Sequence, residues 1–243
     1  MKLEVRSEKL EVASGFAEAG FEILESVLAE EKCNALAQEL TAFYQREQKS
    51  RHNKIGGVRN LLRTSSLVAE FASSPKLQSI LESRVVKTVF PVRALFFDKT
   101  TDANWRVPWH QDLTIAVAEK IEMPEFVAWT VKNGVLHVQP PQEILESMVA
   151  IRLHLDDCNA SNGALKIITG SHLSGKLGAT EIAELVETRV PVVCEASKGS
   201  VLLMRPLLLH SSSPAKEPLH RRVLHIEYAT TELPNGLKWF DRL

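Results

Sequence analysis

The chain has 243 residues, of which 44% are hydrophobic and 24% charged, and its formal net charge is −1. This composition is that of an ordinary globular protein and excludes a disordered chain. Because the net charge is close to zero, the sequence as a whole has no attraction to nucleic acid or to an anionic membrane, and we expect neither as a partner.

Glycine and proline are scattered and no linker-like stretch divides the sequence, so we expect a single domain over residues 1–243. Cys33, Cys158 and Cys194 are odd in number and far apart, which predicts reduced thiols instead of a disulfide framework or a zinc site. The N-terminus has no apolar segment of the signal-peptide type, and no apolar run approaches membrane-spanning length. We therefore expect a cytoplasmic protein, and the sequence leaves its oligomeric state open.

The first part of the chain has mainly helical patterns. Gly20–Leu24 alternates like a short strand, and residues from Leu28 to about Gln48 have the apolar spacing of a helix that packs on a sheet. A Ser-Pro pair at 74–75 supplies an N-cap and a proline at the first position of another helix, which should end near Lys87.

A basic, glycine-containing stretch at 49–63 lies between these two helices. It is either a solvated loop or a substrate loop that brings Arg59 or Arg63 to an anionic group, since loops on rigid scaffolds often carry binding residues.

Short apolar or alternating runs separated by turn residues replace the helical pattern from residue 91 onward, which predicts a β-sandwich or barrel. We expect a jelly-roll barrel over about 91–230, buttressed by the mostly helical region of about 1–90. A surface helix is expected over Ala179–Thr188. The expected strands are 92–98, 107–117, 148–156, 164–168, 190–194, 200–204 and 222–229.

The segment 119–145, between two expected strands, is long for a barrel connection and contains several prolines. Long loops in compact domains tend to be lids or binding loops. We expect this segment to cover the substrate, the alternative being a loop that only pads the barrel.

A histidine and a carboxylate two residues apart, His110 and Asp112, lie within the expected strand 107–117. Residues i and i+2 of a strand share one face, so both side chains can reach the same point. Two histidines and one carboxylate on one face of an octahedron hold Fe(II) and keep positions open for oxygen and a cosubstrate. His210 is the best candidate for the second histidine. His154 and Asp156 form a rival pair, and they could equally lie on the solvated face of a half-buried strand.

Several ordered motifs resemble the phytanoyl-CoA dioxygenase family of Fe(II)/2-oxoglutarate oxygenases over roughly residues 20–230. These are His110-Gln-Asp112, Asn162-Gly163-Ala-Leu165 running to Gly170-Ser-His172, His210-x-Ser212, and Arg221. The resemblance implies a double-stranded β-helix fold and favours the His110 pair over the rival, because the family's metal pair precedes the strand that carries His154.

The resemblance also implies that Arg221 holds the distal carboxylate of 2-oxoglutarate, with a hydroxyl from Ser212 and an amide from Gln111. A planar guanidinium suits this task because it binds a carboxylate bidentately. Arg221 and Arg222 are adjacent in an expected strand, so they should point to opposite faces and only one should enter the barrel.

The implied activity is hydroxylation of an unactivated C–H bond of a small-molecule substrate, using Fe(II), 2-oxoglutarate and O2 and releasing succinate and CO2. Asp112 favours hydroxylation over halogenation, since halogenating relatives leave the position of this ligand free for halide. The alternatives are a cupin-type metal dioxygenase or isomerase that does not use 2-oxoglutarate, and a non-catalytic binding module on the same barrel. No motif supports a fatty acyl-CoA as the substrate.

Overall fold

Two antiparallel sheets face each other across a cavity in the computed structural model, which describes residues 15–50, 57–216 and 219–243. Strands are numbered in chain order. The larger sheet contains β1 (Phe21–Leu24), β2 (Gly57–Val58), β3 (Phe90–Lys99), β8 (Val149–His154), β11 (Val201–Met204) and β13 (Arg221–Ala229). Their order is β1-β11-β8-β13-β3-β2.

The smaller sheet has four strands, β4 (Val107–His110), β9 (Leu165–Ile167), β10 (Val192–Cys194) and β12 (His210–Ser212), in the order β10-β9-β12-β4. A third sheet, in the order β5-β7-β6, consists of β5 (Ile115–Val117), β6 (Val127–Lys132) and β7 (Val135–Gln139). The helices are α1 (Glu30–Ser50), α2 (Leu61–Thr64), α3 (Ser66–Ala72), α4 (Pro75–Val85), α5 (Gln142–Ser147) and α6 (Ala179–Thr188).

The N-terminal helices pack on the outer face of the larger sheet. Leu36 and Leu40 of α1 lie in one buried cluster with Ile151 of β8 and Leu224 of β13. Burial of such apolar area is the main stabilising contribution to a fold of this kind. This packing leaves the opposite face of the sheet to line the cavity.

Strand alternation gives β13 two different faces. Leu224, Ile226 and Tyr228 belong to the helix-covered core, whereas Arg221, His225 and Glu227 line the cavity. The same alternation separates Ile151 from Arg152 on β8. The inner face of the larger sheet therefore carries an unusual density of charge, which the smaller sheet covers.

Most of the expected elements are confirmed, including the strand at 20–24, the long helix after it, the proline-initiated helix α4 and the surface helix at 179–188. The jelly-roll class is also confirmed. The three cysteines are free and buried. Among the described residues, no helix has the length and apolar character needed to cross a membrane.

The prediction of one strand over 107–117 is wrong. The chain forms β4 in the smaller sheet, leaves it after His110, and joins the third sheet as β5. The backbone N–H of Asp112 donates to the carbonyl of Pro206 at 2.9 Å instead of continuing a ladder. Only β5 is fully buried, whereas β4 is half-buried with Pro108 exposed, so the two halves of the predicted strand have different environments.

The segment 119–145 is not a long irregular loop, because most of it forms the hairpin β6-β7 and the start of α5. The hairpin turn is Asn133-Gly134, with φ of 54° and 77°. Two consecutive positive φ angles are typical of the type I′ turn, for which Asn-Gly is a strong sequence signal. The segment therefore forms mainly a small hairpin, and only its Lys132 lines the cavity, while its role as a substrate cover stays a prediction.

We expect Leu40→Ala to lower the free energy of unfolding by about 2–5 kcal/mol, because Leu40 is fully buried between α1 and the larger sheet. Urea denaturation followed by circular dichroism measures this. Gln38→Ala, at an exposed position of the same helix, is the control and should change stability by less than about 0.5 kcal/mol. Equal effects in the two variants would contradict the packing of α1 on the sheet.

Candidate metal centre

His110, Asp112 and His210 converge at one end of the smaller sheet, where each offers a ligand atom and these atoms lie within 4.8 Å of one another. The two histidines are cross-strand partners on β4 and β12, and their ring centroids are 4.2 Å apart. The Asp112 carboxylate lies 3.9 Å from Nε2 of His110 and 3.8 Å from Nε2 of His210. The predicted triad is therefore present as a geometric cluster.

Backbone contacts orient both imidazoles. Nδ1 of His110 lies 2.9 Å from the carbonyl of Pro108, and Nδ1 of His210 lies 2.8 Å from the carbonyl of Leu208. A carbonyl can only accept, so each Nδ1 carries the proton and each Nε2 presents a lone pair toward the partner ring and Asp112. Hydrogen bonds of this kind fix the tautomer and ring orientation of histidine ligands.

The protonation states also suit a metal. Burial lowers the pKa of His210 to about 4, so its imidazole is neutral at neutral pH. Burial would raise the pKa of Asp112, but the nearby histidines and Arg93 outweigh it and hold this pKa at about 2. Two imidazole nitrogens and one carboxylate oxygen form a donor set that suits ferrous iron. The residues present therefore fit the metal that the sequence motifs imply.

A cavity of about 270 Å³ adjoins the triad and extends between the two sheets. Five cationic side chains line it, together with two carboxylates, three histidines and an apolar wall. The cations are Arg59, Arg93, Lys132, Arg152 and Arg221, the carboxylates are Asp112 and Glu227, and the apolar wall includes Leu95, Phe97, Trp105, Val107 and Leu165.

Arg221 enters this cavity from the start of β13 and is 3% exposed. Its Nε has no hydrogen-bond partner among the described residues, and burial lowers its pKa. Ser212 also lines the cavity, and its Oγ accepts a hydrogen bond from Nζ of Lys99 at 2.7 Å and donates to the carbonyl of Gly163 at 2.9 Å. Burial and then the charges of Arg221 and Arg152 lower the pKa of Lys99 to about 7. This end of the cavity is therefore suited to hold an anion.

Arg222 points away from the cavity, as strand alternation predicts. Its Nε and Nη2 donate to the two oxygens of Asp156 at 2.8 and 2.6 Å, and its backbone N–H donates to the same carboxylate. Asp156 is therefore saturated by one arginine. His154 is buried in β8 with no hydrogen-bond partner on either ring nitrogen among the described residues, so it does not lie on a solvated face and does not meet Asp156. The rival pair forms no metal cluster.

Gln111 does not contact the cavity, contrary to the expected amide contact with the cosubstrate. Its buried side chain donates to the carbonyls of Gly175 and Leu207 at 2.8 and 2.6 Å and accepts from the N–H of Leu177 at 2.8 Å. Both polar ends of the amide are thus occupied by backbone. Gln111 ties the turn near 175 to the chain that carries the metal ligands.

The basic stretch 49–63 has divergent roles, and residues 51–56 lie outside the described part of the chain. Arg59 lines the cavity. Arg63 instead forms an ion pair with Asp241 at 2.7 Å and stacks over Phe240, so the structure brings only one of the two candidate arginines to the site.

Several cavity residues have no signal in the sequence. Arg93 pairs with Glu227 at 2.9 Å, and His225 lies 3.5 Å from the same carboxylate. Burial would raise the pKa of Glu227, but Arg93 and the hydrogen bond with His225 hold it below its usual range. Arg152 is nine-tenths buried and forms no hydrogen bond or ion pair with a described residue, although it lies 5.8 Å over the Phe97 ring. Alternation along β3 and β8 is the only pattern that could indicate which of these side chains face inward.

A family model described as phytanoyl-CoA dioxygenase (PhyH) matches residues 16–223. No curated protein matches the chain. Among solved structures, AviO1 from Streptomyces viridochromogenes Tue57 has a TM-score of 0.67 and 21% identity, with 93% of this chain and 96% of that chain covered. At such identities the likeness establishes a shared fold.

Two further solved structures have the same fold. EctD from S. alaskensis, solved with 2-oxoglutarate and 5-hydroxyectoine, has a TM-score of 0.68 and 19% identity, with 90% of this chain and 75% of that chain covered. The non-heme alpha ketoglutarate dependent epimerase SnoN from nogalamycin biosynthesis has a TM-score of 0.67 and 13% identity, with 95% and 91% covered.

We expect His210→Ala to weaken Fe(II) binding by more than about 100-fold. Loss of a residue that only hydrogen-bonds to a metal ligand already costs about 10–100-fold in affinity, and loss of the ligand itself should cost more. Anaerobic isothermal titration calorimetry measures the affinity, and circular dichroism checks the fold. Wild-type affinity in this variant would rule out His210 as a ligand.

The matched control is His154→Ala, which removes the histidine of the rival pair. Its iron affinity should stay within about threefold of the wild-type value. The reason is that neither ring nitrogen of His154 forms a hydrogen bond with a described residue, the triad included. Loss of iron in His154→Ala alone would move the site to β8.

Proposed function

Because this chain belongs to the phytanoyl-CoA dioxygenase family, we propose that it is an Fe(II)- and 2-oxoglutarate-dependent oxygenase that hydroxylates an unactivated C–H bond of a small molecule. The observation that carries the proposal is the convergence of His110, Asp112 and His210 at a cavity that also contains the buried guanidinium of Arg221. A metal-binding end and an anion-binding end in one cavity fit a cosubstrate that needs both.

His110, Asp112 and His210 would hold the iron through two imidazole nitrogens and one carboxylate oxygen. Bound there with 2-oxoglutarate and O2, the metal supplies oxidative decarboxylation of the keto acid to succinate and CO2, coupled to attack on the substrate C–H bond. The backbone carbonyls of Pro108 and Leu208 keep the two Nδ1 protons away from the metal side of the rings. This arrangement preorganises the ligands before any metal binds.

Arg221 holds the distal carboxylate of 2-oxoglutarate in this proposal, and the Ser212 hydroxyl would exchange its hydrogen bond to the Gly163 carbonyl for one to that carboxylate. A guanidinium at 3% exposure binds a carboxylate more strongly than one in water, because the local dielectric constant is low. Lys99 adds a positive charge next to Ser212, to which its Nζ donates. Arg152 lines the same cavity as Arg221 and Asp112. Burial and then the charge of Arg221 lower its pKa, and the charge of Asp112 opposes this, so Arg152 is close to both.

The apolar wall of Leu95, Phe97, Trp105, Val107 and Leu165 faces the same cavity. Its role is to exclude bulk water and to hold the hydrocarbon part of the substrate near the metal ligands. The cavity volume of about 270 Å³ is small for a ligand site, for which about 300–1,000 Å³ is common. A small metabolite therefore suits the site better than the acyl chain of a fatty acyl-CoA.

Hydroxylation is the outcome we propose, with Asp112 as the third ligand in place of a halide. Two solved relatives of this fold are described as an alpha ketoglutarate dependent epimerase and a carbocyclase, so the same scaffold carries other outcomes. Incubation with candidate substrates under ¹⁸O2 tests the proposal. Stoichiometric succinate together with a product heavier by one ¹⁸O atom is expected, whereas succinate with an isomeric or dehydrogenated product would contradict hydroxylation.

The two alternatives make different predictions for 2-oxoglutarate. A cupin-type dioxygenase or isomerase would bind iron without 2-oxoglutarate, and a binding module would need neither. Anaerobic Fe(II) protein should therefore develop the metal-to-ligand absorption band of a chelated keto acid when 2-oxoglutarate is added. Absence of this band despite bound iron would favour the alternatives.

We expect Arg221→Ala to weaken 2-oxoglutarate binding by roughly 30- to several-thousand-fold, since truncating one partner of a buried charge pair costs about 2–5 kcal/mol. Iron binding should remain. The dissociation constant is measured by titrating the same absorption band in anaerobic Fe(II) protein.

Arg222→Ala is the control because Arg222 pairs with Asp156 on the other face of β13. Its 2-oxoglutarate affinity should change by less than about threefold, with thermal melting used to check the fold. A defect confined to Arg222→Ala would transfer the role to that residue.

The pH dependence of 2-oxoglutarate binding should depend on Lys99, whose pKa is lowered to about 7 by burial and by Arg221 and Arg152. A bound carboxylate favours protonated Lys99, so binding takes up a proton above this pKa. The affinity should then fall as pH rises from 7 to 9, by at most about tenfold per pH unit. Titrations across this range check the trend, and Lys99→Met should flatten it. An identical pH profile in that variant would exclude Lys99.

A further inference from the structure

We propose that Arg152 is a second cosubstrate-binding arginine, whose guanidinium binds the distal carboxylate of 2-oxoglutarate together with that of Arg221. This inference rests on the proposed function, because it adds a residue to the cosubstrate end of the same cavity. The site would then select keto acids with a second carboxylate through two guanidiniums instead of one.

Arg152 is a buried cation without an anionic partner in the described part of the chain. It lines the cavity at 9% exposure, and its guanidinium lies 5.8 Å over the Phe97 ring, which supplies no negative charge. Asp112 is close to Arg152, but the proposed function assigns this carboxylate to the metal. A buried charge that lacks a partner is unfavourable, because nothing repays its desolvation. An anionic ligand of the cavity would supply the missing partner.

The strand register shows toward which end of the cavity the Arg152 side chain extends. The backbone of Arg152 on β8 is paired with that of His225 on β13. The guanidinium, however, lies over Phe97, whose backbone is paired with that of Val223, two residues closer to Arg221. The side chain therefore extends along β13 toward the end of the cavity that contains Arg221.

Electrostatic effects also place the two guanidiniums close together. Burial lowers the pKa of Arg152 to about 10, and the charge of Arg221 is the next largest cause. After burial, the charges of Arg221 and Arg152 lower the pKa of Lys99 to about 7. Like charges that gather in a buried site disfavour one another, and an anion bound among them relieves this repulsion. The cosubstrate end of the cavity therefore contains Arg152 as well as Arg221.

One carboxylate is able to accept hydrogen bonds from two arginines. Its two oxygens offer about four lone-pair sites, of which a bidentate guanidinium uses two. The other carboxylate of 2-oxoglutarate belongs to the keto-acid end, which chelates the metal in the proposed function. The distal carboxylate is therefore the group that Arg152 and Arg221 can share.

The test compares two keto acids that differ only at the distal end, 2-oxoglutarate and 2-oxopentanoate, which has a methyl group in place of the distal carboxylate. Binding is followed by the metal-to-ligand absorption band in anaerobic Fe(II) protein. Arg152→Gln should lower the selectivity for 2-oxoglutarate over 2-oxopentanoate by about tenfold or more, because it removes a hydrogen bond between two charged groups. The affinity for 2-oxopentanoate itself should change by less than about threefold.

Arg152→Met repeats the test with an apolar side chain, so the result does not depend on the folding of one variant, and thermal melting checks both. Arg205→Gln is the matched control. Arg205 is a half-buried arginine that donates to the carbonyls of Glu146 and Met148 at 3.3 Å and does not line the cavity. Its replacement should leave the selectivity unchanged.

Equal weakening of both keto acids in the two Arg152 variants would overturn the inference, since Arg152 would then act on the keto-acid end. Unchanged selectivity in both variants would also overturn it. The wild-type protein separates this inference from the proposed function. If 2-oxoglutarate produces the band but its selectivity does not depend on Arg152, only the role of Arg152 is wrong. If the band does not form, the proposed function itself fails.

Discussion

The antiparallel pairing of His110 with His210 is the contact on which the site depends. These residues are far apart in the chain and become neighbours only because β4 and β12 pair in this register. A slip of one residue in either strand would turn the imidazole of that strand to the opposite face of the sheet, away from its partner. The carbonyls of Pro108 and Leu208 orient the imidazoles of His110 and His210, and Gln111 ties the chain next to His110 to the carbonyl of Leu207. These contacts help to hold the two strands in this register.

The larger sheet divides stability and chemistry between its faces. Its outer face is covered by α1 to α4 and contributes most of the apolar core, whereas its inner face carries Arg93, Arg152 and Arg221, of which Arg93 pairs with Glu227. Buried cations are tolerated because the outer core stabilises the sheet independently of them. A cavity with such a lining is prepared for anionic ligands before any of them binds.

The cavity lining comes from many parts of the chain. Arg93 lies on β3, Arg152 on β8 and Arg221 on β13, and Lys132 reaches the same cavity from β6 of the third sheet. The metal-binding cluster lies at this cavity because β4 and β12 of the smaller sheet supply its two histidines.

The sequence alone determined the residue types of the triad, the inward Arg221 beside the outward Arg222, and the helical first part followed by short strands. These features follow from local periodicity and ordered motifs, which do not depend on distant contacts. Only the tertiary structure decided that Asp112 lies beyond the end of β4, that Gln111 is used by backbone groups, and which face of β8 is buried. It also brought Arg59, Arg93 and Lys132 to one cavity. The physical reason is that strand register and sheet order are set by long-range packing, so no local pattern specifies which charged side chains meet.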